Sequence, residues 1–249
     1  MARLPVSVQN TRQECMYTIQ FIIIILYFFI FIFLYLYIIL YNFHYIILYT
    51  ILYLIVFLFF SICQLSFCNQ VTVKEVIKTA KLALYNQLTV QFATSCAYHF
   101  LLEFRSLDRS PRVPTVSIIL THLLVFVFVQ ETTFYYLHRL LHRGKLYKTV
   151  HKIHHYWQAP IAIAAIYCHP FEHFLANLVP VLFGPLLMGS HRATICIWLI
   201  IVHVVTLNDH SGYHFPLMPS PEFHDYHHLK YVVRTLKPRL SWINNLFVY

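Results

Sequence analysis

TVSIILTHLLVFVFVQETTFYYL, residues 115–137, runs without a break into His138-Arg-Leu-Leu-His142, and this junction decides how the chain is read. The stretch holds one carboxylate, Glu131, and no cation, and it exceeds the roughly 20 apolar residues that cross a bilayer. Its last turns put Glu131, His138 and His142 on one helix face, by steps of seven and four. Histidines one turn apart present their ring nitrogens side by side. Neutral imidazole is the commonest side-chain metal ligand. A span that ends in such a pair predicts a metal site at a membrane boundary.

Three further groups follow: His151-Lys-Ile-His154-His155, His210-Ser-Gly-Tyr-His214 and His224-Asp-Tyr-His227-His228. With the first pair, the candidate ligands are His138, His142, His151, His154, His155, His210, His214, His224, His227 and His228. One ion takes about four to six ligands, so this set suggests two ions. Adjacent histidines point about 100° apart on a helix and can reach different ions. Imidazole suits iron, zinc, copper and nickel. No cysteine lies in any group, which argues against iron–sulfur and structural zinc sites, and the HExxH pattern of zinc proteases is absent. Neutral ligands open to a membrane suit O2 activation at iron. Carboxylates often orient metal-bound histidines, and Glu131, Asp209, Asp225 and Glu172 are the candidates. His169 and His173, in HPFEH, are candidate outer donors or extra ligands. His44, His99, His122, His191 and His203 belong to no group and read as structural or interfacial.

The composition agrees. Of 249 residues, 59% are hydrophobic and 11% charged, with mean hydropathy +0.62. Soluble domains carry about 25% charged residues, so several bilayer spans are expected. The net charge of +9 could suggest a nucleic-acid partner. That reading is rejected because the cations flank apolar runs, as they do on cytoplasmic faces. Six scattered cysteines with no CxxC read as buried small hydrophobes rather than a disulfide framework.

Three regions are expected. Residues 1–70 are a divergent amino-terminal region, with a polar start and a low-complexity apolar run over 21–63, too long for a secretory h-region and sufficient for two spans. Residues 71–230 are the catalytic domain. It opens with an interfacial amphipathic helix over 70–89, carrying Lys74, Glu75, Lys78 and Lys81, and a span at about 84–104. Apolar stretches at roughly 161–187 and 192–209 are divided by Gly184, Pro185, Gly189 and Ser190. Two passes return the chain to the side it left, so the later histidine groups meet the earlier ones on one membrane face. Arg139, Arg143, Lys145, Lys148 and Lys152 place that face in the cytoplasm, although Arg105, Arg109 and Arg112 stand at the opposite end of the 115–137 span. Residues 231–249 form a divergent tail.

The runs LHRLLHRGKLYKTVHKIHHYWQAPI (137–161), YCHPFEH (167–173) and HSGYHFPLMPSPEFHDYHHLK (210–230) resemble the fatty acid hydroxylase superfamily, which includes sterol desaturases, and within it the C4-methylsterol oxidase branch. The resemblance covers about residues 72–230. It implies an endoplasmic reticulum membrane protein with a cytoplasm-facing non-haem di-iron site. It also implies use of O2 and of electrons from NAD(P)H, through an electron-donor protein such as cytochrome b5 or its reductase. His138 and His142 match the first box, His151, His154 and His155 the second, and His224, His227 and His228 the third. His210 matches a histidine between boxes, and His214 matches only some branches. The chain departs from the family at residues 1–70 and at 231–249, where an Asn, Tyr-Gly and Gly-Thr-bearing segment normally stands.

The resulting expectation is an all-α, multi-span integral membrane helical bundle with a cytoplasm-facing histidine-rich di-metal site. Its two irons, for which zinc can substitute in purified protein, would oxidise a lipid C–H bond. A sterol is the first substrate class and a fatty acyl chain or sphingolipid the second. A catalytically inactive scaffold of lipid metabolism is the alternative that the altered tail supports. A metal transporter is disfavoured, because the boxes sit at span ends rather than along a pathway.

Overall fold

A computed structural model describes residues 72–105, 110, 112–157, 161–211, 218 and 220–230, all within one compact unit, Ile46–Tyr249. The expectations for residues 1–70 and 231–249, and for His214, lie outside the described residues. Every regular element among those described is helical. Among the described residues, three helices are long and apolar enough to cross a membrane: Val116–Leu141, Pro170–Met188 and Arg192–His210.

Among the described residues the first helix, α1 (Val73–Asn86), begins at a reciprocal cap in which Glu75 N–H donates to the Thr72 hydroxyl and Thr72 N–H donates to the Glu75 carboxylate. It buries Val76, Thr79, Ala83 and Asn86, three and four residues apart, and leaves its lysines exposed, as the amphipathic pattern predicts. A π-turn at Gln87–Gln91 carries it into α2 (Phe92–Phe104). The span expected at 84–104 is thus the second half of one helical run from Val73, and that run is not among the three long apolar helices.

Helix α3 (Val116–Leu141) has 26 residues and extends about 39 Å at 1.5 Å per residue. The hydrocarbon core of a bilayer is about 30 Å thick, so the helix is long enough to cross one. Leu124 is 72% exposed and Phe128 58%. Such an apolar surface suits a lipid surrounding, which a helix tolerates because its own hydrogen bonds satisfy the backbone. Gly144, at φ +41°, follows His142 and turns the chain into the short α4 (Gly144–Thr149). A 3-10 turn, His151–Tyr156, comes next.

The apolar stretch expected at 161–187 divides in two. Ala162–Ile166 is a 3-10 turn buried in the core, and helix begins only at Pro170, with His169 capping it through Nδ1. Proline at the first helical position fits, since its missing N–H would have no intrahelical partner. From α5 (Pro170–Glu172) a π-turn at His173–Leu178 leads into α6 (Val179–Met188), which Gly189 ends in the left-handed conformation. Gly184 lets α6 approach α3: a Cβ there would lie 3.0 Å from Phe126 Cα. Small residues at close helix contacts are the usual device in lipid. Helix α7 (Arg192–Ser211) returns along the bundle, and Trp198 packs edge-on against Phe126 at 5.6 Å. Helix α8 (Glu222–Lys230) carries the last histidines.

Two buried hydrogen-bond anchors hold the histidine-bearing segment against α1. Trp157 Nε1 donates to Thr79 Oγ1 at 3.1 Å, and Asn86 Nδ2 donates to the carbonyls of Ile166 and Cys168 at 3.0 and 2.9 Å.

Candidate metal centre

Nine of the ten candidate histidines meet in two adjoining groups. His138, His142, His151, His155 and His227 form one, and His154, His210, His224 and His228 the other; within each group one nitrogen from every ring lies within 4.8 Å of the others. The first group is drawn from the end of α3, the 3-10 turn and α8. The second is drawn from the same turn, α7 and α8. The 3-10 turn and α8 therefore serve both groups. His154 and His155 separate, as do His227 and His228, because adjacent side chains point in widely different directions on a helix. His151 and His155 stay together, as do His224 and His228, four residues apart. The groups abut through His155 and His228, whose ring centroids are 4.7 Å apart.

The nitrogen contacts fit a shared cation better than hydrogen bonds. His142 Nε2 is 3.1 Å from His138 Nε2, 3.2 Å from His227 Nε2 and 3.0 Å from His151 Nε2. His138 Nε2 and His227 Nε2 are themselves 3.0 Å apart. A ring nitrogen carries one proton or one lone pair, so three mutually close nitrogens cannot be hydrogen-bonded along all three edges. His155 Nε2 lies 3.1 Å from His151 Nε2, while His155 Nδ1 donates to the His228 carbonyl and His151 Nδ1 donates to Glu172 Oε1. Both Nε2 lone pairs then face each other, an arrangement that a cation between them stabilises. In the second group His228–His224 and His224–His210 repeat the spacing at 2.9 and 3.0 Å. Nitrogens about 2.0–2.1 Å from an ion lie about 2.8–3.0 Å apart at right angles and about 3.3–3.4 Å apart in a tetrahedron. The observed spacings, 2.9–3.2 Å, run from the right-angle range to just short of the tetrahedral one.

The surroundings keep the rings neutral, the form that binds metal. Burial first, then the neighbouring His227 and His155, lowers His142 to about 3. Burial, then His227, lowers His155 to about 4 against the bond to the His228 carbonyl. Burial and the adjacent imidazoles also push His151, His154, His224 and His228 well below the usual histidine range.

A carboxylate supports the first group: His151 Nδ1 and Glu172 Oε1 are 2.6 Å apart, with both side chains buried. This is the carboxylate–imidazole support that fixes a ring's tautomer and aim. Asp209 is buried one residue before His210 and accepts a hydrogen bond from Asn208 at 3.5 Å. His210 Nδ1 is held by the Thr206 carbonyl at 3.1 Å. Glu131 lies on α3 and Asp225 on α8, each beside the groups in sequence. His169 and His173 belong to neither group: His169 caps the helix at Pro170 and His173 Nδ1 contacts Asn177. Sequence reasoning passed over Asn86 and Thr79, whose bonds place the 3-10 turn. Their distance from the boxes along the chain gave no signal, although the Thr72–Glu75 cap could have been read from its spacing.

The chain is similar in sequence to several known proteins. The chain is 43% identical over 164 residues to human fatty acid hydroxylase domain-containing protein 2, covering 65% of this chain and 47% of that protein. It is 31% identical over 177 residues to a very-long-chain aldehyde decarbonylase, GL1-8, of Oryza sativa subsp. indica, covering 68% and 63%. It is 29% identical over 190 residues to methylsterol monooxygenase 2-1 of Arabidopsis thaliana, covering 68% and 67%. The chain thus spans about half the length of the first of these relatives. No solved structure matches it. Residues 123–248, which hold all ten candidate histidines, match the fatty acid hydroxylase family, and with this match the chain belongs to that family.

Proposed function

We propose that the protein is a membrane oxygenase that inserts oxygen into a lipid C–H bond at a pair of iron ions. The observation that carries this reading is the sorting of nine histidines into two adjoining neutral nitrogen groups at the end of an apolar bundle. His138, His142, His151, His155 and His227 would hold one ion, and His154, His210, His224 and His228 the other. His214, outside the described residues, would be a further ligand. Bound iron supplies O2 reduction, in the overall balance RH + O2 + 2 electrons + 2 protons → ROH + H2O. The chain's residues hold the nitrogens unprotonated, fix their aim through Glu172, Thr206 and the His228 carbonyl, and keep water away by burial. The five nitrogens of the first group exceed the four of a closed structural zinc tetrahedron.

A sterol is the first substrate class, supported by the likeness to a methylsterol monooxygenase. A fatty acyl lipid is the second, supported by the likeness to an aldehyde decarbonylase that acts on very long chains. Electrons would come from NAD(P)H through an electron-donor protein such as cytochrome b5 or its reductase. The protein would lie in the endoplasmic reticulum membrane with its histidine end toward the cytoplasm, a side supported by the cations that follow α3. Residues 71–230 would be the catalytic domain.

The test is the metal content of detergent-purified protein, with His154→Ala and His227→Ala as controls, followed by turnover of methylsterols and of acyl lipids. About two ions per chain, fewer in both variants, together with O2-dependent oxidation of one lipid class, is the expected result. A folded protein that binds no metal overturns the oxygenase reading. Two bound ions with no lipid turnover would favour the inactive scaffold.

A further inference from the structure

The π-turns at Gln87–Gln91 and His173–Leu178 pack against each other. Such widened turns are rare and recur at functional sites. Their seam holds a buried polar network that the metal centre does not use. Asn86 Nδ2 gives its protons to the carbonyls of Ile166 and Cys168, and it stands 3.9 Å from Cys168 Sγ. Asn177 Nδ2 lies 3.8 Å from the same sulfur and 3.3 Å from His173 Nδ1. An amide nitrogen only donates, so His173 Nδ1 accepts and the proton of the neutral ring sits on Nε2.

Asn86 Oδ1, Gln87 Oε1, Gln87 Nε2 and His173 Nε2 find no hydrogen-bond partner among the described residues. Asn86 and Gln87 are 0% exposed and His173 2%. A buried donor or acceptor left unpaired weakens a fold, so a set of them calls for a partner from outside it. The set offers both donors and acceptors, and none of these groups is a cation. No lysine or arginine occurs at 82–104 or 153–191, and the residue before His173 is the acidic Glu172. A carboxylate or phosphate would bring an uncompensated charge here. A hydroxyl, which both donates and accepts, fits.

We infer that this seam is a binding subsite for the hydroxyl group of an uncharged lipid. His173 Nε2–H donates to the hydroxyl oxygen, and the hydroxyl proton goes to Asn86 Oδ1 or Gln87 Oε1. The inference rests on the oxygenase reading and adds the polar group by which its substrate is held. The seam adjoins the metal centre along the chain, since Glu172 holds His151 at 2.6 Å. A lipid anchored by its hydroxyl keeps the carbons beside that group close to the histidines. A sterol and a long-chain alcohol both present such a hydroxyl.

The experiment uses the full chain in detergent and reads equilibrium binding of two tritiated probes, methylcholestanol and octadecanol, by scintillation proximity. Methylcholestane and octadecane, which lack the hydroxyl, and octadecanoate are the unlabelled competitors. At least one alcohol should bind wild type, and its hydroxyl-free counterpart should compete about 3–10-fold less well, as one hydrogen bond is worth. The tighter alcohol names the source of the hydroxyl. Gln87→Leu should erase most of this preference while the thermal midpoint and metal content hold, because Gln87 forms no side-chain bond that the fold would lose. His173→Leu should also lose the preference, and His173→Gln, whose amide N–H can replace the ring N–H, should keep part of it. The inference is overturned if neither alcohol binds, or if octadecanoate or a hydroxyl-free counterpart competes as well as the alcohol. Wild-type preference in folded Gln87→Leu also overturns it, since the network would then serve water or packing. The wild-type comparison decides even where a variant fails to fold. Hydroxyl preference without O2-dependent turnover counts against the oxygenase reading alone.

Discussion

Replacing Glu172 by leucine should weaken one metal site and leave the other intact. His151 Nδ1 reaches Glu172 Oε1 at 2.6 Å, and the two side chains are 0% and 3% exposed, so no water replaces the lost acceptor. The orphaned Nδ1–H costs about 1–3 kcal/mol. Loss of a supporting carboxylate typically lowers metal affinity about 10–100-fold, or about 1.4–2.7 kcal/mol, and the two estimates agree. Glu172→Gln keeps an oxygen that accepts from Nδ1–H and should lose only a few-fold. The second group, His154, His210, His224 and His228, does not include His151, so its ion should be held as before. The assay is competition for zinc or ferrous iron against a chelating dye, with helical content checked by circular dichroism. Unchanged affinity at both sites in folded Glu172→Leu refutes the reasoning, and so does equal loss at both, which would mean that the carboxylate holds the fold rather than one ring.

Other outcomes follow from the same geometry. Gly184→Ala adds a Cβ 3.0 Å from the Phe126 backbone, so α3 and α6 must separate, at about 1–3 kcal/mol; the thermal midpoint in detergent should fall. Gly144→Val meets no neighbour, yet at φ +41° it should cost about 1–2 kcal/mol through backbone strain alone, and Gly144→Asn should cost less. Metal-free protein should lose stability as pH drops. His142 and His155 titrate near 3 and 4 in the fold but near 6.5 when unfolded, so the unfolded chain takes up protons first, and the loss begins below pH 6.5 and levels off near 3. A thermal midpoint that stays flat from pH 7 to 4.5 would contradict this. Added zinc should raise the midpoint at pH 7, and the gain should shrink below pH 6, where protons compete for the same nitrogens.

Much of this was readable in local pattern. The 115–137 span and the histidine pair that ends it need only hydropathy and a period of 3.6, properties of neighbouring residues. The amphipathic helix near residue 73 follows from the same rule. The expected 161–187 stretch read as continuous because Ala162–Ile166 is as apolar as the helix after it. Composition alone does not distinguish an apolar turn buried in protein from an apolar helix facing lipid. Pro170, with His169 as its cap, marks the boundary.

Taken alone, the sequence determined that this is a helical chain with stretches apolar and long enough to cross a membrane and with enough histidine for two ions, because hydropathy and spacing along a helix are local properties that fix which side chains can share a face. Only the tertiary structure decided which ring serves which group. His151 joins His155 rather than His154, and His227 parts from His228, because α8 comes back against the 3-10 turn and both elements stand between the two groups. The support at Glu172 and the anchors at Asn86 and Thr79 were likewise decided in three dimensions. They join residues 21, 80 and 78 positions apart, and no local period records such contacts.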